Sequence, residues 1–254
     1  MPLSFFTSRH SSAKQGGFTL VELAIVLMII GLLIGGVLRG QELMNNARRS
    51  AVIQQIKAYQ AAVVSFQDTY SQLPGDMSTA QARVPGCTAA NFCLNGDGNG
   101  IIGSPVNSAV QQNQVGTAVP QVETSMFWKH MALAHLISGV TPSANPAQAE
   151  AGATHPASKL ADGAFVVATK STGEPDYFAS GPLLKLQRAP GNTGYVLSPS
   201  DARMLDEKMD DGRPNAGFVG AENVGSGCKT NDGPTGAYSP DMEDTPRCVM
   251  YFKI

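Results

Sequence analysis

The residues whose types and spacing carry the most specific chemistry are Gly16-Gly17-Phe18-Thr19-Leu20-Val21-Glu22. Two glycines leave the backbone unhindered directly before Phe18, which suits an extended fit into a peptidase site. Glu22 is the single charge in the 21 residues from Phe18 to Leu38. As a helix that stretch is about 31 Å long, roughly one hydrocarbon core. A carboxylate in lipid needs a partner. A cut between Gly17 and Phe18 would free an α-amino group, and that amine on a neighbouring copy would supply the partner. In an ordinary secretory signal the small-residue cut follows the apolar run. Here it precedes the run, so cutting would keep the apolar helix in the mature chain.

A second candidate is Asn95-Gly96-Asp97-Gly98-Asn99-Gly100. Oxygen side chains at alternate positions before a glycine match the first half of a Ca²⁺-binding loop of the EF-hand kind. The twelfth position is Val106, so the bidentate Glu of that pattern is missing. Another carboxylate must come from elsewhere, and Asp76 and the group Asp206/Asp210/Asp211 are the candidates. The same residues also read as plain Asx/Gly turns. No cofactor is expected apart from this candidate Ca²⁺.

The four cysteines form two local pairs, Cys87/Cys93 and Cys228/Cys248, all after the apolar run. An even number in a translocated domain favours disulfides, and of the three connectivities the sequential one is preferred because six residues suffice to staple one loop. The spacings are not those of a zinc site. Other chemistry is poorly supported. Gly98-x-Gly100-x-x-Gly103 lacks the strand and helix that a dinucleotide site requires. His130 and His135 lie about 140° apart on a candidate helix and do not share a metal face. There is no H-E-x-x-H and no G-x-S-x-G, so neither a zinc protease nor an α/β-hydrolase is supported; the chain is expected not to be an enzyme. Phe127, Trp128 and Met131 read as core.

These residues must be positioned by a long helix. No proline occurs between Phe18 and Pro74. Val52, Ile56, Tyr59, Val63, Phe66 and Tyr70 recur in steps of four and three, one apolar stripe at helical period, with Gln54, Lys57, Ala61 and Asp68 opposite. The spacing predicts one helix over 18–73, apolar all round in its membrane half (18–38) and amphipathic above, ended by Pro74-Gly75. Gly31/Gly35 and Gly36/Gly40 form two G-x-x-x-G spacings that permit close helix packing. The chain then divides into a leader (1–17), this helix, and a loop-rich head (74–254). Thr124–Ser138 reads as a helix closed by Gly139. Ala164–Thr169, Leu183–Arg188 and Tyr195–Ser198 read as strands, as does Cys248–Ile254 by its clean alternation. Ser198, Pro199 and Asp201 mark the start of a short helix with Ala202, Leu205 and Met209 buried. Residues 212–247 read as loop.

The stretch GFTLVE followed by an apolar helix closely resembles the prepilin N-terminal motif of type IV pilins and type II secretion pseudopilins. LPGD, NGDGNG, the Trp128–Ile137 segment and DARMLDEKMDDG also resemble phrases of bacterial prepilin-type proteins. The resemblance implies cleavage between Gly17 and Phe18 by prepilin peptidase, N-methylation of Phe18, and a role for Glu22 in subunit assembly. It implies an α+β, pilin-like fold, with the long N-terminal helix packed on a small antiparallel sheet. The function expected is a structural subunit of a type IV pilus-like filament. The alternatives are a type II secretion pseudopilin, or a minor pilin whose head binds a ligand. Partners would be other pilin or pseudopilin subunits, prepilin peptidase and the inner membrane. The head would be periplasmic before assembly, and in the pilus or pseudopilus afterwards. Arg9 and Lys14 favour a cytoplasmic leader, whereas Arg39, Arg48 and Arg49 oppose it; the cysteines and the resemblance decide. Removing residues 1–17 takes away two basic residues, leaving 16 basic and 20 acidic, a net of −4. That argues against nucleic-acid binding through bulk charge.

Overall fold

The computed structural model describes residues 17–102, 123–145, 150–160, 162–169, 181–189, 194–221, 227–240 and 245–254. The expectations for the leader before Gly17, and for Gly103 and Val106 at the end of the loop that starts at Asn95, lie outside them. The chain divides into two compact units, Met1–Asn45 and Asn46–Ile254.

Helix α1 runs Leu20–Tyr70 and passes through both units. Every residue from 17 to 45 is exposed. Among the described residues, α1 is the one helix long and apolar enough to cross a membrane, with a mean hydropathy of 2.7 over its most apolar window. A helix apolar on all sides and unburied has no soluble rationale.

In the second unit the expected stripe is the buried face. Val52, Ile56, Tyr59, Val63 and Phe66 are buried, joined by Ala62, while Gln54, Lys57, Ala61 and Asp68 face out. Burying each large apolar side chain contributes roughly 2 kcal/mol. The helix ends before Pro74. Ser71 takes a left-handed conformation (φ 57°) while its N–H still donates to Gln67 O at 2.7 Å. Short α2 (Ala80–Arg83) and a 3₁₀ turn (Ala89–Asn91) follow.

Helix α3 is Glu123–Leu133, buried on all sides. It stops five residues before the expected end. His135, not Gly139, is the left-handed residue that closes it, with Leu136 N donating to Met131 O and His135 N to Ala132 O. That pair of bonds is a Schellman closure on a non-glycine residue.

The sheet has four antiparallel strands in the order β1-β2-β4-β3. These are β1 (Ala164–Thr169), β2 (Pro182–Gln187), β3 (Val219–Ala221) and β4 (Met250–Lys253). Two expectations are corrected. Tyr195–Ser198 contributes a single bridge, Leu197 to Cys248, because Pro199 starts a helix immediately after it. The segment 212–247 contains β3, whose three residues are too few to show a period. Phe165, Val167, Leu184, Leu186, Met250 and Phe252 share the core with the α1 stripe, and Tyr59 sits edge-on to both Trp128 and Phe165. The other sheet face is buried too. There Lys185 stands directly opposite Tyr251, with its ammonium 5.2 Å from the ring centroid.

Helix α4 (Pro199–Met209) starts as its sequence requires. Ser198 Oγ accepts from Asp201 N, Pro199 occupies the first turn, and Ala202 and Leu205 are fully buried. Disulfides join Cys87 to Cys93 and Cys228 to Cys248, the sequential connectivity.

Candidate functional site

Glu22 lies in the first turn of α1. Its Oε2 accepts from Thr19 N at 2.8 Å and from Thr19 Oγ1 at 2.8 Å, and Glu22 N donates to Thr19 Oγ1 at 3.2 Å. This is a reciprocal capping box, and Thr19-x-x-Glu22 is its sequence signature. The carboxylate therefore has two donors within a single chain. Thr19 is the residue that the expectation of a neighbour's amine left out, although its spacing to Glu22 was readable. The box fixes where the helix starts, so Gly17 and Phe18 stay outside it and Phe18 is 83% exposed. The bond between them is presented as non-helical backbone, the form a peptidase can bind. Further along α1, a Cβ added at Gly31, Gly35, Gly36 or Gly40 would meet nothing within 4 Å. These positions leave the backbone bare on an exposed helix.

The head holds a second cluster. Gly75 has φ 88°, and a Cβ there would lie 2.4 Å from Glu123 O. Only glycine lets the segment after α1 come this close to α3. A Cβ on Gly96 would fall 2.3 Å from the Asp76 backbone. Gly96 N donates to Met77 O and Gly98 N to Asp76 O, which lays the Asn95–Gly100 loop along the segment after Gly75. The result brings carboxylate oxygens of Asp76, Asp97 and Glu123 within 4.8 Å of one another. Asp76 and Glu123 are buried; Asp97 is exposed. Burial pushes the Asp76 carboxyl up, partly offset by the N–H donors of Gly100 and Asn99, and Asp97 adds to the rise.

Of the three residues expected to ligate, Asp97 joins this cluster. The side-chain oxygen of Asn95 accepts from Gln81 N, in the first turn of α2, and that of Asn99 accepts from Ile101 N in a local Asx turn. The carboxylates that could hold a hard divalent cation here are Asp76, Asp97 and Glu123. Asp76 was a candidate source of the missing carboxylate. Glu123 had no signal, because its contact to Asp97 N at 3.0 Å spans 26 residues. Asp206, Asp210 and Asp211 form a separate group, in which buried Asp206 accepts from the Tyr238 hydroxyl at 2.7 Å.

His130 is no ligand in this arrangement. It is buried, its Nδ1 accepts from Gly75 N at 3.0 Å, and its Nε2 donates to Leu94 O at 2.9 Å. Both ring nitrogens are used, which fixes a neutral tautomer.

A long apolar N-terminal helix joined to a small four-stranded antiparallel sheet is an α+β layout of the pilin-like class. Residues 12–38 match the family model of the prokaryotic N-terminal methylation motif. That motif is the prepilin-type cleavage and methylation signal of type IV pilins and pseudopilins, and the chain carries it. Comparison with curated proteins and with solved structures returned no match.

Proposed function

We propose that this chain is a structural prepilin subunit of a type IV pilus-like filament. Prepilin peptidase cuts between Gly17 and Phe18, and the new Phe18 amine is N-methylated. The apolar half of α1 holds the subunit in the inner membrane with the head on the periplasmic side. It then becomes the packed centre of the polymer, where the bare backbone at Gly31, Gly35, Gly36 and Gly40 lets neighbouring helices approach.

The observation that carries this reading is the methylation motif over residues 12–38, in which Gly17-Phe18 precedes, instead of follows, an apolar run with the single carboxylate Glu22. Glu22 is held by Thr19 in the single chain. In the polymer, the Phe18 amine of a neighbour competes for the same oxygens and adds an opposite charge. An ion pair in low dielectric is favourable only when both charges are well paired.

The test is Glu22→Ala. The variant is expected to be cut at Gly17/Phe18 as efficiently as wild type and to remain in the membrane fraction without entering filaments. Normal filaments built from the variant would sink the pairing argument. Filaments confined to the periplasm would assign the chain to the pseudopilins of type II secretion.

A further inference from the structure

We infer that Arg49 and Asp201 form a clasp that sets where the head's hold on α1 begins. Arg49 lies less than one turn before Val52 and two turns before Ile56, the first buried anchors of the stripe, both 0% exposed. Its guanidinium is used at all three nitrogens. Nε and Nη2 donate to Asp201 Oδ1 at 2.9 and 2.6 Å, and Nη1 donates to Asn46 Oδ1 at 3.2 Å. The two charged side chains are 12% and 30% exposed, so water screens the pair less than a surface bridge. Asp201 is itself fixed. Its N–H donates to Ser198 Oγ, and its Oδ2 accepts from the same hydroxyl, at the start of α4. The clasp therefore anchors the first turn of the second unit, which begins at Asn46, to the rigid start of a different helix 152 residues away.

The planar fork matters here, because a lysine would supply the charge without reaching Asp201 and Asn46 together. Without the clasp the first fully buried side chain of α1 is Val52, and residues 46–51, in the middle of the continuous helix, lose their tie to α4. Six helical residues are about 9 Å of stem. In the filament reading, to which this consequence belongs, that difference changes how much of α1 is available to pack against other copies. The clasp itself does not depend on that reading.

Hydrogen exchange measured by mass spectrometry on the full chain in detergent micelles tests it. In Arg49→Gln and in Asp201→Asn, the amides of residues 46–52 are expected to exchange about tenfold faster or more, as for loss of a hydrogen bond to a charged group, with residues 55–70 unchanged. Arg49→Lys is expected to fall between these and wild type, and it decides the matter if Arg49→Gln does not fold. Unchanged exchange in the arginine variants overturns the inference. So does acceleration in Asp201→Asn alone, which would reflect the cap of α4, and so does a uniform rise across 46–70. Absence of filaments from the wild type would overturn the proposed function and leave this measurement untouched.

Discussion

Gly75 donates its backbone N–H to Nδ1 of His130 at 3.0 Å, across 55 residues. The contact joins the segment after α1 to the last turn of α3, and through Nε2 the same ring holds Leu94, next to the Cys87–Cys93 loop. His130 is thus a buried, neutral joint between three segments.

Burial lowers the pKa of His130 to about 4, with Lys129 adding to the fall, and burial lowers that of His155 to about 4 as well. In the unfolded chain a histidine titrates near ~6.5. Between these values the unfolded state takes up protons that the native state refuses. Stability is therefore fully present above pH 6.5 and is lost as pH falls toward 4, by roughly 3 kcal/mol per histidine. Asp206 has the opposite sign. Burial raises it to about 7, so its contribution is present at low pH and is lost as pH rises toward 7. These two windows overlap, and two histidines outweigh one carboxyl, so urea midpoints should rise from pH 4.5 to 6.5 and change little from 6.5 to 7.5. His130→Gln should shrink the rise between 4.5 and 6.5, and Asp206→Asn should enlarge it.

The capping box predicts a role for Thr19 distinct from that of Glu22. Thr19→Val keeps the shape and removes the hydroxyl that holds the carboxylate. Loss of a cap costs about 1 kcal/mol, enough to fray the first turn of α1. Hydrogen exchange at residues 20–23 should rise in Thr19→Val, whereas Thr19→Ser should match wild type. Equal exchange in all three chains would show that the box does not hold in the membrane.

The two disulfides should differ in weight. Closing a loop of 20 residues restricts the unfolded chain more than closing one of six. Chain entropy gives about 3 kcal/mol for Cys228–Cys248 and about 2 kcal/mol for Cys87–Cys93. Paired Cys→Ser substitutions compared by denaturant unfolding check the order. The larger loss is expected at Cys228/Cys248, which also fastens the bridge between Leu197 and Cys248.

The convergence of Asp76, Asp97 and Glu123 sets like charges against one another. Asp97 is the exposed member, so Asp97→Asn removes repulsion at little structural cost and should raise the melting temperature in the presence of a chelator. Added Ca²⁺ should raise it further in wild type than in Asp97→Asn. A destabilised Asp97→Asn in chelator would mean that the hydrogen bonds from Asn99 to the Asp97 carboxylate outweigh the repulsion.

Periodicity and local rules were legible where the deciding contacts are close in sequence. The Val52–Phe66 stripe, the Ser198 cap and the two cysteine pairs could be read because each depends on residues within one element or one loop. The end of α3 is not legible because glycine is the usual left-handed residue, whereas here exposed His135 takes that conformation and closes the helix through its own N–H and that of Leu136. The carboxylate cluster was half legible. Asp97 sits in a recognisable turn, but Glu123 reaches it only through the approach of backbones that Gly75 and Gly96 allow. Arg49 is legible in the sequence only as one of three positive charges after the span, because nothing there reveals a partner 152 residues away. Glu22 was legible as a charge needing a partner, and its first partner is Thr19.

If the chain is a prepilin, it polymerises through α1 after losing its leader. Immuno-electron microscopy can show this on sheared surface material and on the periplasmic high-speed fraction, from cells that contain prepilin peptidase and with an antibody to the head. Filaments decorated along their length are expected in one of these fractions. Label found solely on dispersed membrane, with no filaments in either fraction, would rule polymerisation out.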